Sequence, residues 1–218
     1  MWYIRNMKLT KLGHACVRLQ KDGRTILIDP GTMTQASGLF DGAEAVLVTH
    51  EHFDHLDRER LIKAFHNDPR LTIYTPAGTA RHLASLGDRV HVVGQGDRFS
   101  VAGFEVVVVG EKHHVSHPDV PPVDNVGFFI DQEVFHPGDA LTGLDGVPTL
   151  LVPGQAPWMT VPDLIRYLRA MAPQRAYAIH DGLLNEWGLG LLDSVLAAEA
   201  ERSGADFRRM APLESVEL

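Results

Sequence analysis

Short apolar runs broken by turns open the chain. Met7 begins MKLTKLGHACVRL, which reads as a first strand. Ala15 to Leu19 and Thr25 to Ile28 are brief strand-like runs, and Lys21-Asp22-Gly23-Arg24 between them predicts a hairpin. Asp29-Pro30-Gly31 stops the second run. Ala43 to Thr49 is a dense apolar segment, as expected of a strand covered on both faces. Arg58 to His66 places apolar residues at 61, 62 and 65, which is helical spacing. Leu71 to Tyr74 returns to strand, and Thr75-Pro76 followed by Ala77 to Leu86 predicts a capped helix. Strand patterns then recur at Val90 to Val93, Phe104 to Val109, Val126 to Ile130 and Glu133 to Phe135, with Asp131-Gln132 as the turn between the last two. Thr149 to Val152 and Ala176 to Ile179 read as strands, Val161 to Met171 and Leu189 to Ala200 as helices. Many strands with helices at intervals predict an α/β fold in which helices cover sheet faces.

Composition narrows this picture. At 218 residues, with 44% hydrophobic and 22% charged, the chain is globular in balance and is read as one domain over 1–218. The net charge of −8 disfavours phosphate backbones and anionic lipid, so neither nucleic acid nor membrane is the expected partner. No stretch reaches the ~18 to 20 apolar residues of a membrane span. The start, MWYIRNMKLT, has no apolar core of a secretion signal, so residues 1–6 read as a leader or an upstream start. The expected compartment is the cytoplasm. The 12 His beside a single Cys change the picture most: any bound metal must be held by imidazole and carboxylate.

Thr49-His50-Glu51-His52-Phe53-Asp54-His55 follows the apolar run directly. In an extended segment, residues two apart point the same way, so His50 and His52 can converge on one ion. The chain must then turn, and Asp54 and His55 project toward a neighbouring position. A composition-matched chance occurrence of this spacing is roughly 0.3% over the chain. Its place after a buried strand adds weight, because open α/β sheets bind ligands beyond strand carboxyl ends. Two divalent ions need about four to six ligands each, and other strand ends offer them: His113, His114 and His117 after one, Asp139 in Phe135-His136-Pro137-Gly138-Asp139 after another, and His180 after a third. One such His alone is more often a structural residue; several at the same kind of position form a set.

His50-x-His52-x-Asp54-His55, then His113, Gly138-Asp139 and His180, resemble the ordered ligand set of the metallo-β-lactamase superfamily. Leu12-Gly13-His14-Ala15-Cys16 and Leu27-Ile28-Asp29-Pro30-Gly31 are similar to its ascorbate-phosphate lactonase-like and ribonuclease Z-like branch. The resemblance implies an αββα sandwich of two mixed β-sheets flanked by helices, with a dinuclear site at one edge. It implies that His50, His52 and His113 hold one metal, that Asp54, His55 and His180 hold the other, and that Asp139 bridges them. His114 stands one residue from the third ligand position, so the register there is open. His52 resembles the hydrolytic members, since a Glu occupies that position in flavodiiron oxidoreductases.

Around this set, Asp29 is either a turn residue or an acceptor that orients a ligand imidazole. His14 and His136 either line the site or make structural hydrogen bonds, and His14 could also donate a proton. His117 and Asn125 are further candidates beside the site or its substrate, and Trp158 stands at a plausible mouth position. Cys16, in a strand, reads as a small buried apolar residue. Two divalent ions, zinc first with manganese or iron as alternatives, can share a bridging water and lower its pKa toward about 7. With no G-x-S-x-G elbow, covalent catalysis has little support. Asp54 is then both a ligand and the catalytic residue that orients or deprotonates the water. The expected function is metal-dependent hydrolysis of an ester or lactone in a small metabolite. The alternatives are a phosphodiesterase or RNA-processing nuclease, or a metal-binding regulatory module without turnover. Substrate and oligomeric state, including a homo-oligomer, stay open.

Overall fold

The computed structural model describes residues 7–218, so the expected leader at residues 1–6 lies outside the described residues. In chain order the elements are β1 (Lys8–Lys11), β2 (Val17–Lys21), β3 (Arg24–Ile28), β4 (Ala45–Leu47), α1 (Arg58–Asn67), β5 (Thr72–Thr75), α2 (Ala77–His82), β6 (Val90–Val92), β7 (Arg98–Val101), β8 (Phe104–Val109), β9 (Gly127–Ile130), β10 (Val134–His136), β11 (Thr149–Pro153), α3 (Val161–Met171), β12 (Arg175–Ile179), α4 (Glu186–Ser203), β13 (Asp206–Arg209) and β14 (Ser215–Glu217).

Local chemistry sets these boundaries. Asp22 and Gly23, both at positive φ, make the tight turn that lets β2 and β3 pair from Lys21↔Arg24 to Val17↔Ile28. Asp131 and Gln132 turn β9 into β10 in the same left-handed region. The Asp57 side chain caps α1 by accepting from Arg60 N at 3.0 Å. Asn185 caps α4 through Gly188 N at 3.0 Å, and Gly204 at φ 75 ends it.

The strands form two seven-stranded sheets, ordered β14-β1-β2-β3-β4-β5-β6 and β13-β12-β11-β10-β9-β8-β7. Each sheet is antiparallel on one side and parallel on the other, with β3, β4, β5 and β6 parallel in the first and β10, β11, β12 and β13 parallel in the second. Side chains alternate between layers, as pleating requires. Ile26 and Ile28, Ala45 and Leu47, Leu151, and Tyr177 and Ile179 face the space between the sheets. Leu27, Val46 and Val48 face the other way, packing with Leu61 and Phe65 of α1. Leu150, Val152, Ala176 and Ala178 pack with Leu164 and Leu168 of α3 and with Leu192 and Leu196 of α4. Each fully buried aliphatic side chain contributes about 1.5 to 3 kcal/mol. The architecture is the expected αββα sandwich of two mixed sheets. No helix of the described residues is long and apolar enough to cross a membrane.

Several expected elements differ in extent. The helix expected over Ala77 to Leu86 stops at His82: Leu83 leaves helical geometry at φ −114, ψ 10, and a 3₁₀ segment, Ala84–Arg89, follows. The final helix runs further in both directions than Leu189 to Ala200. Strands β7, β13 and β14 were absent from the hydropathy reading. All three are sheet edges, short and with only one or two apolar residues each, too few to mark a strand by pattern. Cys16 is fully buried as expected, but it sits in the loop just before β2.

Candidate metal centre

Several of the candidate ligands gather where parallel strands of both sheets end. Asp29 follows β3, the His50–His55 segment follows β4, Asp139 follows β10 and His180 follows β12. Among the described residues two groups have mutually close ligand atoms: His50, His52, His113 and Asp139, and His14, Asp54, His55 and His180. Asp139 stands between them. Its Oδ1 is 3.0 Å from His55 Nε2, and its Oδ2 is 3.0 Å from His180 Nε2, 3.4 Å from His113 Nε2 and 4.0 Å from His50 Nε2. Asp54 Oδ2 is 3.4 Å from His180 Nε2 and 3.3 Å from His14 Nε2.

Fixed acceptors behind the rings decide which nitrogen faces inward. His55 donates through Nδ1 to Asp29 Oδ2 at 2.6 Å, His113 to the carbonyl of His114 at 2.6 Å, and His180 to the carbonyl of Gln155 at 2.6 Å. Thr49 Oγ1 donates to Asp29 Oδ2 at 2.6 Å and so is left to accept from His50 Nδ1 at 3.0 Å. In its neutral form each of these four rings therefore presents the Nε2 lone pair to the centre, the form in which imidazole binds a cation. His50 Nε2 and His52 Nδ1 face each other at 3.1 Å. Buried His55 Nε2, His113 Nε2, His180 Nε2 and Asp139 Oδ1 have no hydrogen-bond partner among the described residues. Buried polar atoms are rarely left so. The donor set fits divalent cations that accept nitrogen and oxygen ligands.

Burial and charge act together here. Burial alone would lower His55, but the Asp139 and Asp29 carboxylates more than offset it and raise its pKa well above normal. Burial likewise opposes charge on His180, and the nearby carboxylates of Asp139 and Asp54 outweigh it, raising the pKa to about 9. His50 is pushed well down, by burial first and then by the neighbouring His55. Burial favours a neutral Asp54, yet the nearby imidazoles of His14 and His180 and the charge of His55 hold its pKa below the carboxylate range.

The structure brings together all seven residues of the expected ligand set. At the open register position it places the His113 ring, not the His114 ring, in the group; His114 serves through its backbone, N–H to Asp139 O at 2.7 Å, while its ring packs on Trp158. Asp29 is an acceptor as well as a turn residue: it takes Thr49 N, Thr49 Oγ1 and His55 Nδ1 while itself at φ 49. His136 lies behind the site, donating to Ala15 O at 3.0 Å and accepting from Gly138 N at 3.1 Å. Asn125 is fully buried, bracing the Asp139 turn through Asp139 N at 2.9 Å and Pro137 O at 3.0 Å. His117 departs from expectation. Its side chain is 62% exposed, pairs within its own loop with Asp119, and joins neither group.

Some contributors had no sequence signal. Lys11 of β1 donates to Ala178 O at 3.0 Å and Asp181 Oδ2 at 2.6 Å, tying the His180 turn to the opposite sheet. Trp158, already a candidate by sequence, donates from Nε1 to Asp139 Oδ2 at 3.2 Å and so touches the central carboxylate. Lys11 and Asp181 are 170 positions apart, and no local pattern links them.

Comparison with known proteins agrees with this geometry. The family described as "Beta-lactamase superfamily domain" matches residues 8–180. Protein Rv0786c of Mycobacterium tuberculosis is 35% identical over 184 residues, covering 82% of this chain and 85% of its own. The UPF0173 metal-dependent hydrolase MJ1163 of Methanocaldococcus jannaschii is 28% identical over 147 residues, 63% of this chain and 62% of its own. The solved structure of Igni18, a metallo hydrolase from Ignicoccus hospitalis, superposes with a TM-score of 0.73 at 20% identity, covering 98% of both chains, a likeness of fold. A family match over most of the chain and a β-lactamase-type double sheet edged by a His/Asp centre lead to one conclusion: the chain belongs to the beta-lactamase superfamily domain family and is a metal-dependent hydrolase of the metallo-β-lactamase fold.

Proposed function

We propose that the centre holds two divalent metal ions and that the protein hydrolyses an ester or lactone bond in a small metabolite. His50, His52 and His113 would hold one ion, Asp54, His55 and His180 the other, with Asp139 shared. The observation that carries this reading is the set of buried, partnerless atoms on His55, His113, His180 and Asp139, whose rings are already engaged at the other nitrogen. When bound, such ions supply a water of lowered pKa and a Lewis acid for a carbonyl oxygen.

The remaining work falls to the chain. Asp54 stays ionised, since its pKa is held low, and so suits orienting a water by accepting its hydrogen bond. Asp29 and Thr49 keep His55 and His50 in the metal-binding tautomer. Trp158 restrains the Asp139 carboxylate and packs against the rings of His113 and His180, and Phe53, between His52 and Asp54, is 66% exposed. Aromatic side chains beside the centre favour a neutral acyl substrate over a phosphodiester anion.

The test combines metal analysis with substrate panels. Chelation is expected to abolish turnover, and Zn²⁺, Mn²⁺ or Fe²⁺ to restore it, with activity on lactones or esters above that on bis-p-nitrophenyl phosphate. Full activity in a metal-free preparation refutes the metal reading. Preference for the phosphodiester supports the nuclease-like alternative, and binding without turnover on any panel supports a regulatory module.

A further inference from the structure

His14 belongs by distance to the same group as Asp54, His55 and His180, so proximity alone would count it as a ligand. Its hydrogen bonds say otherwise. His14 occupies the loop between β1 and β2, and its carbonyl accepts from His180 N at 2.8 Å. Its ring Nδ1 accepts from the backbone N–H of Gly182 at 2.9 Å. An accepting Nδ1 carries no proton, so the neutral ring carries it on Nε2. That is the reverse of His50, His55, His113 and His180, each of which donates through Nδ1 and keeps its Nε2 lone pair.

Gly182 makes this arrangement possible by approaching closely. A Cβ there would stand 2.9 Å from His14 Nδ1 and 3.2 Å from His14 Cβ. The Nε2–H of His14 is then aimed into the centre. Its side chain is fully buried, Nε2 lacks a partner in hydrogen-bond geometry, and the nearest carboxylate oxygen is Asp54 Oδ2 at 3.3 Å. Asp54 Oδ2 is the oxygen that also faces His180 Nε2, at 3.4 Å.

We infer that His14 is a fixed Nε2–H donor that positions the Asp54 carboxylate, and not a further metal ligand. This inference rests on the metal reading of the site given above. His14 acts through Asp54, so it is a positioning residue. Its role is to hold one carboxylate oxygen in place while leaving the ligand count unchanged.

The test loads wild type, His14→Leu, His14→Gln and His180→Ala with Co²⁺ and measures bound equivalents, visible spectrum and turnover on the best ester or lactone. Wild type and both His14 variants are expected to bind two equivalents with spectra of like intensity, and His180→Ala about one. Turnover of His14→Leu is expected to fall about 10- to 100-fold. His14→Gln, which offers an N–H near the Nε2 position, should recover most of that loss, a rescue that packing alone would not produce. A missing equivalent in His14→Leu, matching His180→Ala, overturns the inference, as does unchanged turnover in a fully loaded His14→Leu. Wild type without bound Co²⁺ refutes the metal reading itself, a different result from either. Should His14→Leu fail to fold, wild type decides: loaded with spin-active cadmium, it should show metal–nitrogen coupling at His55 and His180 and none at His14. Coupling at His14 overturns the proposal.

Discussion

Asp29→Asn isolates one interaction behind the metal centre. Asp29 is fully buried at φ 49 and accepts three hydrogen bonds, from Thr49 N at 2.7 Å, Thr49 Oγ1 at 2.6 Å and His55 Nδ1 at 2.6 Å. Asparagine tolerates the left-handed region at least as well as aspartate, so the backbone is left unstrained. Its volume is nearly the same. What changes is that one acceptor oxygen becomes an amide donor. If the Asn oxygen keeps Thr49 N, its NH₂ faces the Nδ1–H of His55, donor against donor. The His55 proton then moves to Nε2 and consumes the lone pair that the metal requires. Losing such a supporting acceptor lowers metal affinity by about 10- to 100-fold, which corresponds to about 1.4 to 2.8 kcal/mol. The metal-free protein should lose about 1.5 to 3 kcal/mol, the usual worth of a hydrogen bond to a charged group. Chelator-competition titration reads the two dissociation constants separately, and thermal melts of the apo form read the stability. On the proposed two-ion reading, the larger loss is expected at the site that includes His55, because His50 is reached only indirectly through Thr49. Both constants within threefold of wild type would refute the argument that Asp29 sets the His55 tautomer.

Two further substitutions probe the scaffold. Gly31→Ala would place a Cβ 1.8 Å from the carbonyl oxygen of Asp54 and 2.6 Å from His55 N, so the ligand loop must move. A loss of at least about 1 to 3 kcal/mol with reduced metal content is expected, and normal melting with full metal content would refute the close approach. Glu199 of α4 is bound by Arg169 at 2.6 and 2.9 Å and by Arg202 at 2.8 Å, and these partners hold its pKa at about 2. A depressed carboxylate stabilises the fold above its unfolded pKa, and that stability is lost as pH falls toward about 2. Glu199→Gln should therefore cost about 1 kcal/mol near pH 7 and converge with wild type as the pH is lowered; a gap that persists near pH 2 contradicts the ion-pair origin.

Much of the fold was legible because its signals are local. The hairpin at Asp22-Gly23 follows from two residues that tolerate positive φ, and the strands around β4 and β12 from buried apolar runs. Edge strands β7, β13 and β14 were not legible, since their pairing partners, rather than their own hydropathy, make them strands. The break after His82 was hidden for a similar reason: Ala77 to Leu86 carries a helical pattern, and the departure at Leu83 leaves no mark in it.

The centre divides along the same line. Residue types and strand-end positions are readable along the chain: the His50–His55 motif is local, and two-residue spacing after a strand puts His50 and His52 together. That the His113 ring and not the His114 ring reaches Asp139 depends on the folded loop. The tertiary structure also carried His117 out to solvent, Asn125 into the interior and Lys11 beneath the His180 turn. Above all it decided which nitrogen of each imidazole faces inward. A tautomer is set by the partner of the opposite nitrogen, and for His14 that partner is the N–H of Gly182, 168 positions away. Spacing along a chain reports which ligands are available; only folded neighbours determine whether each one offers a lone pair or a proton.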